Sequence, residues 1–129
     1  LLRPRGVLAV WSYQLLRCEP EIDALLDRFD QDVVGPYWPP ERRLVDSGYR
    51  DLPFPFPEIP VPAFDMRADW DLEQLPGYLG TWSSVQRYRK ALGRDPLQRL
   101  VSALTGAWGS VNARRRIRWP LALRAGRNQ

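Results

Sequence analysis

Proton chemistry near neutral pH usually falls to histidine, and this chain has none among its 129 residues. The commonest proton shuttle and the commonest metal ligand are therefore missing. Cys18 is the single cysteine, so neither an intrachain disulfide nor a cysteine-built zinc site can form. With no histidine to activate it, Cys18 reads as a small, inert side chain rather than a nucleophile. No two glycines are separated by a single residue. A Gly-x-Gly turn, which lets a phosphate or nucleoside approach the backbone, is thus not available. No residue is assigned a catalytic, cofactor-binding or metal-binding role.

Arginine and aromatic rings remain in quantity. The net charge is +4, Lys90 is the sole lysine, and there are six Trp, five Tyr and four Phe. Arg114, Arg115, Arg116 and Arg118, with Arg87, Arg89, Lys90 and Arg94, raise a nucleic-acid-binding module as one function, aromatic rings stacking on bases. Against it, alternating arginines on a strand are the ordinary solvent face and +4 is a modest excess, so nucleic acid is the disfavoured partner. No apolar run approaches a membrane span, and no membrane partner is expected. The compartment expected is cytoplasmic, on the thin ground of a lone cysteine.

The elements that must position any site follow from periodicity. Pro4 and Gly6 turn the chain into an unbroken apolar run, Val7-Leu8-Ala9-Val10-Trp11, a pattern of strands covered on both faces. Glu19-Pro20-Glu21 opens a helix whose stripe is Ile22, Leu25, Leu26, Phe29 and Val33, stopped by Gly35-Pro36. Asp23, Asp27 and Asp30 take its other faces and read as solvated. A short helix over residues 41–47 closes at Gly48. Prolines from Pro53 to Pro62 force an extended connection, with Phe54 and Phe56 as plugs on a core.

Residues 63–70 alternate as a second strand, with Phe64, Met66, Ala68 and Trp70 on the inward side. Asp71 and Gln74 form a capping box for a helix from Leu72, which Pro76, Gly77 and Gly80 weaken. Ser83 or Ser84 caps the next helix, with Val85, Tyr88 and Leu92 inward. Asp95-Pro96 opens another, striped by Leu97, Leu100, Val101, Leu104 and Trp108. Residues 114–124 set Ile117, Trp119, Leu121 and Leu123 against arginines as a third strand, with Pro120 marking an edge or a bulge. The whole is one α/β domain over residues 1–129.

Several stretches resemble class I S-adenosylmethionine-dependent methyltransferases. Leu2-Arg3-Pro4-Arg5-Gly6-Val7-Leu8-Ala9-Val10-Trp11 is similar to that family's turn and fifth strand. Met66-Arg67, Trp70 through Leu72, Gly77-Tyr78-Leu79, Thr81-Trp82-Ser83-Ser84-Val85 and Trp119-Pro120-Leu121 are similar to its trans-aconitate methyltransferase branch. Arg5 stands where the family has glycine.

The resemblance implies a partial Rossmann-like fold: a three-stranded sheet ordered first, last, second, the last strand antiparallel, with amphipathic helices and a helical lid insertion over residues 71–109. It implies the C-terminal, acceptor-side portion of a methyltransferase, completing the sheet and covering a small-molecule acceptor. S-adenosylmethionine is the family's cofactor. The resemblance places its site in an N-terminal half that is the missing partner here, so the chain alone is expected to be inactive and not to bind it. Trp11, Ser12 and Tyr13 would point to the ligand crevice at the strand's carboxyl end, and Tyr37, Trp38, Trp82 and Ser83 would line the lid. Each aromatic also has a plain core reading. The strand over residues 7–11 would become an open edge, inviting self-association. A non-catalytic remnant serving as a pairing module is a further alternative.

Overall fold

A computed structural model describes residues 2–129. Four strands form one sheet: β1 (Val7–Tyr13), β2 (Glu58–Ile59), β3 (Asp65–Trp70) and β4 (Arg115–Arg127). The helices are α1 (Pro20–Arg28), α2 (Arg42–Asp46), α3 (Gln74–Leu79), α4 (Ser83–Leu92) and α5 (Leu97–Trp108). Strand order is β1-β4-β2, with β3 also paired to β4. The last strand therefore lies inside the sheet beside the first, as expected, and the second strand expected over residues 63–70, β3, pairs with it too. β4 runs antiparallel to β1 from Val7↔Arg127 to Tyr13↔Leu121, and antiparallel to β2 at Glu58↔Gly126. β2 is an addition: two residues of the proline-rich connection join the ladder.

Two compact units divide the chain. The first holds residues 1–16, 40–66 and 118–129, the second residues 17–39 and 67–117.

In the first unit, Arg5 carries a φ of 67°, the left-handed conformation that a non-glycine residue adopts at a cost of about 1 kcal/mol or more. The turn holds because the Arg5 and Gly6 amides donate to Asn128 and Arg3 at 2.6 and 2.9 Å. Pro120 breaks no ladder. Its carbonyl accepts from Gln14, just past the end of β1, while Leu121 donates to Phe64 on the other side at 2.9 Å. A strand residue's N–H and C=O point the same way, so the missing donor falls where β1 has stopped. Phe54 is a plug as expected: a Cβ at Gly126 would come 2.4 Å from its ring, and the Arg124 guanidinium lies over that ring at 4.8 Å.

Cover on both faces of β1 is not found. Its residues alternate, with Val7, Ala9, Trp11 and Tyr13 exposed. Among the described residues, pairing on one edge only leaves one face and one edge of the strand to solvent. Phe64 and Met66 are likewise 49% and 42% exposed; alternation set their face, but no described element covers it.

The second unit carries most of the core. Ile22, Leu26 and Phe29 of the α1 stripe are buried, and α1 packs on α5, whose Leu97, Leu100, Leu104 and Trp108 face inward. The end of the α1 stripe differs from expectation. Residues Phe29–Val33 form a π turn, which adds a residue to the turn, so Val34 rather than Val33 is fully buried. The capping box at α3 is present: Gln74 Oε1 accepts from the Asp71 amide at 3.0 Å, and Asp71 accepts from Glu73 and Gln74. Pro76 falls in the first turn of α3, where its missing N–H costs least. The N-cap of α4 is Trp82, not a serine. Leu92 is exposed because it ends α4, one turn beyond Tyr88, whose ring meets Tyr37 at 5.1 Å.

Candidate functional site

The seven candidate residues separate into two groups. Trp11, Ser12 and Tyr13 belong to the first unit, at the carboxyl end of β1; Tyr37, Trp38, Trp82 and Ser83 belong to the second.

In the first group, Trp11 is 65% exposed and Tyr13 is exposed too. Directly paired antiparallel residues share a face, so Trp11 stands beside Leu123 and Tyr13 beside Leu121. Ser12 faces the other way. Its hydroxyl is buried and has no hydrogen-bond partner. An open hollow of about 410 Å³ lies at this edge, lined by Ala9, Val10, Trp11, Tyr49 and Leu52. Its floor is mainly apolar, so it can shed water from a ligand. Gly48 and Tyr49, with φ of 67° and 62°, reverse the chain after α2 so that Tyr49 reaches this place. Nothing in the sequence pattern had marked Tyr49.

In the second group, the aromatic rings gather around Trp82, which is 8% exposed. Trp38 lies 5.3 Å from it at 50°, Phe29 6.1 Å and Tyr78 6.3 Å, the last edge-on at 80°. Tyr78 in turn lies 5.4 Å from Trp70. Trp38 is aimed by its indole N–H, which donates to Asp30 Oδ1 at 2.8 Å. Tyr37 turns to Tyr88 instead, held by the turn Gly35–Tyr37. Ser83 is exposed at the first position of α4. Sequence reasoning missed Phe29, Trp70, Tyr78 and Asp30 as members of this cluster. Phe29 had been read as stripe; Tyr78 lay inside the Gly77-Tyr78-Leu79 block, which was the available signal.

Two titratable groups near α1 serve structure. Arg17, bidentate to Asp27, is held above the ordinary guanidinium value chiefly by that hydrogen bond. Burial pushes the Cys18 thiol up, away from the thiolate a nucleophile needs. Among the described residues, no cluster of three His, Cys, Asp or Glu could hold a metal ion.

S-adenosylmethionine does not fit the turns this chain offers. The strand-to-helix connections, residues 14–19 and 71–73, contain no glycine. One amide in each is also taken: that of Cys18 by Asp23 at 2.6 Å, and that of Glu73 by Asp71. Neither presents the open backbone cradle such a cofactor requires.

Comparison with known proteins bears on the family. No protein-family model matches the chain. A solved structure described as "a Putative Type II Methyltransferase from Anaeromyxobacter dehalogenans" superposes with a TM-score of 0.91 and is 46% identical, covering 97% of this chain. This chain is homologous to that methyltransferase. A "Putative methyltransferase" of Dictyostelium discoideum is 27% identical over 115 residues, 87% of this chain. The chain spans 53% of the solved structure's length and 44% of the Dictyostelium protein's. It therefore aligns with part of each of those longer proteins, and its β1-β4-β2 order matches a partial Rossmann-like methyltransferase topology. The helices include none long and apolar enough to cross a membrane among the described residues.

Proposed function

We propose that this chain is the acceptor-side portion of an S-adenosylmethionine-dependent methyltransferase, completing the sheet and covering a small-molecule methyl acceptor. The observation that carries this reading is the 46% identity to the Anaeromyxobacter structure across nearly the whole chain. Methyl transfer from sulfur is an in-line displacement, so the protein's task is to position the reactants and exclude water. Aromatic walls without a proton shuttle suit that task.

The strand-end residues Trp11, Ser12 and Tyr13 are proposed acceptor contacts. So, separately, are Tyr37, Trp38, Trp82 and Ser83, with the helices of residues 71–109 acting as a lid. The finer likeness to trans-aconitate methyltransferases, a cytoplasmic location and pairing of β1's open edge with another strand belong to the same proposal. The open edge is motivated by β1 carrying neither charge nor proline over Val7–Tyr13.

S-adenosylmethionine is held by the cofactor half in this reading, and the present chain alone does not bind it. Calorimetry on the isolated chain tests this. Binding tighter than roughly 1 mM, about 4 kcal/mol, would overturn the division of labour.

The nucleic-acid reading gains nothing from the geometry. The strand arginines that suggested it have partners: Arg114 donates to the Asp69 carbonyl at 2.9 Å, Arg115 to the Trp108 carbonyl and Glu19, Arg116 to Asp69, and Arg118 to Asp65, while of the helical group Arg89 pairs with Asp95.

A further inference from the structure

Helices α3 and α5 each begin beside an aspartate that takes up first-turn amides. Asp71 accepts from Glu73 and Gln74 at 3.0 and 3.1 Å, and Asp95 accepts from Leu97 at 3.1 Å. Helix α4 begins differently. Its N-cap, Trp82, is extended at φ −61°, ψ 135° and supplies no side-chain cap. The Trp82 amide donates to Leu79 and the Gln86 amide to Trp82. Between them, the amides of Ser83, Ser84 and Val85 have no acceptor among the described residues.

A second observation is independent of the backbone. Ser84 is fully buried, and its hydroxyl has no partner. A helical serine can bond back to the carbonyl four residues earlier; here that is Gly80, which accepts from Gln86 Nε2 at 2.7 Å instead. Side chains of a helix lean toward its N-terminus, which carries this hydroxyl toward the three open amides. The partial positive charge of the helix end lies at the same place. Exposed Ser83 forms the mouth. Half-buried Trp38 and Tyr78 pack on the ring of the N-cap residue Trp82 at 5.3 and 6.3 Å.

We infer that the N-terminus of α4 binds an oxyanion group, a carboxylate or a phosphate, through the amides of Ser83, Ser84 and Val85 and the hydroxyl of Ser84. The bound group is the anionic end of the methyl acceptor, a meaning that rests on the methyltransferase reading. The binding itself does not depend on it.

The test is an amide NMR titration of the full chain with succinate and, separately, with inorganic phosphate. Saturable movement of the Ser83, Ser84 and Val85 amides is expected, and the arm that saturates more tightly identifies the group. Two variants probe the donors. Ser84→Ala deletes the hydroxyl. Ser83→Pro deletes one amide at the first helical position, where proline is tolerated, and the extended Trp82 before it suits a following proline. Each should weaken binding about tenfold while leaving the rest of the spectrum in place.

Absence of saturable movement with either anion overturns the inference. So does native-strength binding by both variants. Methyl transfer by the assembled enzyme with no anion effect at α4 would reject this subsite alone. Saturable binding in a chain that never supports methyl transfer would reject the methyltransferase reading alone.

Discussion

Arg116 donates to Asp69 at 2.6 Å from one strand to its neighbour, and this pair gives Asp69 its own response to acid. The hydrogen bond from Arg116 holds the Asp69 carboxyl below its ordinary value. A carboxyl whose folded value is depressed contributes stability above its unfolded value, near pH 4, and loses it as pH falls through the folded value. Because both side chains are largely exposed, the contribution is small. The expected result is an Asp69 carboxyl resonance that titrates below the ordinary aspartate value and returns toward it in Arg116→Gln.

The same pairing bears on nucleic acid. Arg114, Arg115, Arg116 and Arg118 are engaged with Asp69, Trp108, Glu19 and Asp65, so they are not free to replace counterions on a phosphate backbone. Binding to a mixed-sequence duplex should be weak. A steep fall of affinity with salt, corresponding to several phosphate contacts, would show that the basic surface is functional after all.

Arg5 should be replaceable to advantage. Its φ of 67° costs about 1–2 kcal/mol in a residue with a Cβ, and glycine gives back about 0.5–1 kcal/mol of that as unfolded-state entropy. Arg5→Gly is expected to raise stability by up to about 1 kcal/mol, read as a higher urea midpoint with unchanged slope. A lower midpoint would mean that the Arg5 side chain makes up for its backbone.

Trp82 and Trp11 make a contrasting pair. Trp82 is buried among Phe29, Trp38 and Tyr78, so Trp82→Ala should cost about 3–5 kcal/mol of stability. Trp11 is 65% exposed, so Trp11→Ala should stay within about 0.5 kcal/mol of the native chain. Trp11 is therefore the cleaner probe of an acceptor contact: in an assembled enzyme its loss should lower turnover at unchanged stability. Unchanged turnover would remove it from the site.

Local periodicity was legible wherever a stripe met its own neighbours. Ile22, Leu26 and Phe29, and Leu97, Leu100, Leu104 and Trp108, are buried as their spacing required, while Leu25 and Val101 at the stripe margins are half-buried, and Ile117 and Trp119 alternate against Arg116 and Arg118. Spacing names a face but does not say that anything covers it. Val7, Trp11, Phe64 and Met66 are apolar by pattern and exposed in fact. The π turn at Phe29–Val33 exchanged Val33 for Val34 because one added residue rotates all that follow, which no composition reveals.

For the site, the aromatic residues were visible but their assembly was not. Trp38 and Trp82 are 44 positions apart and meet only through packing of the intervening helices. The orientation of Trp38 depends on Asp30, which the helical pattern had assigned to a solvated face. Ser83 and Ser84 were read as caps because serine commonly takes that role. Trp82 took the position instead and left their amides open.

The central claim is that this chain supplies the acceptor side of a methyltransferase. The most direct measurement joins it to the portion of the Anaeromyxobacter protein that it does not match, and follows the methyl group of labelled S-adenosylmethionine into a small-molecule extract. Label should enter low-molecular-weight products only when both portions are present. Transfer by either portion alone, or none from a joined protein that folds and binds the cofactor, would contradict the account.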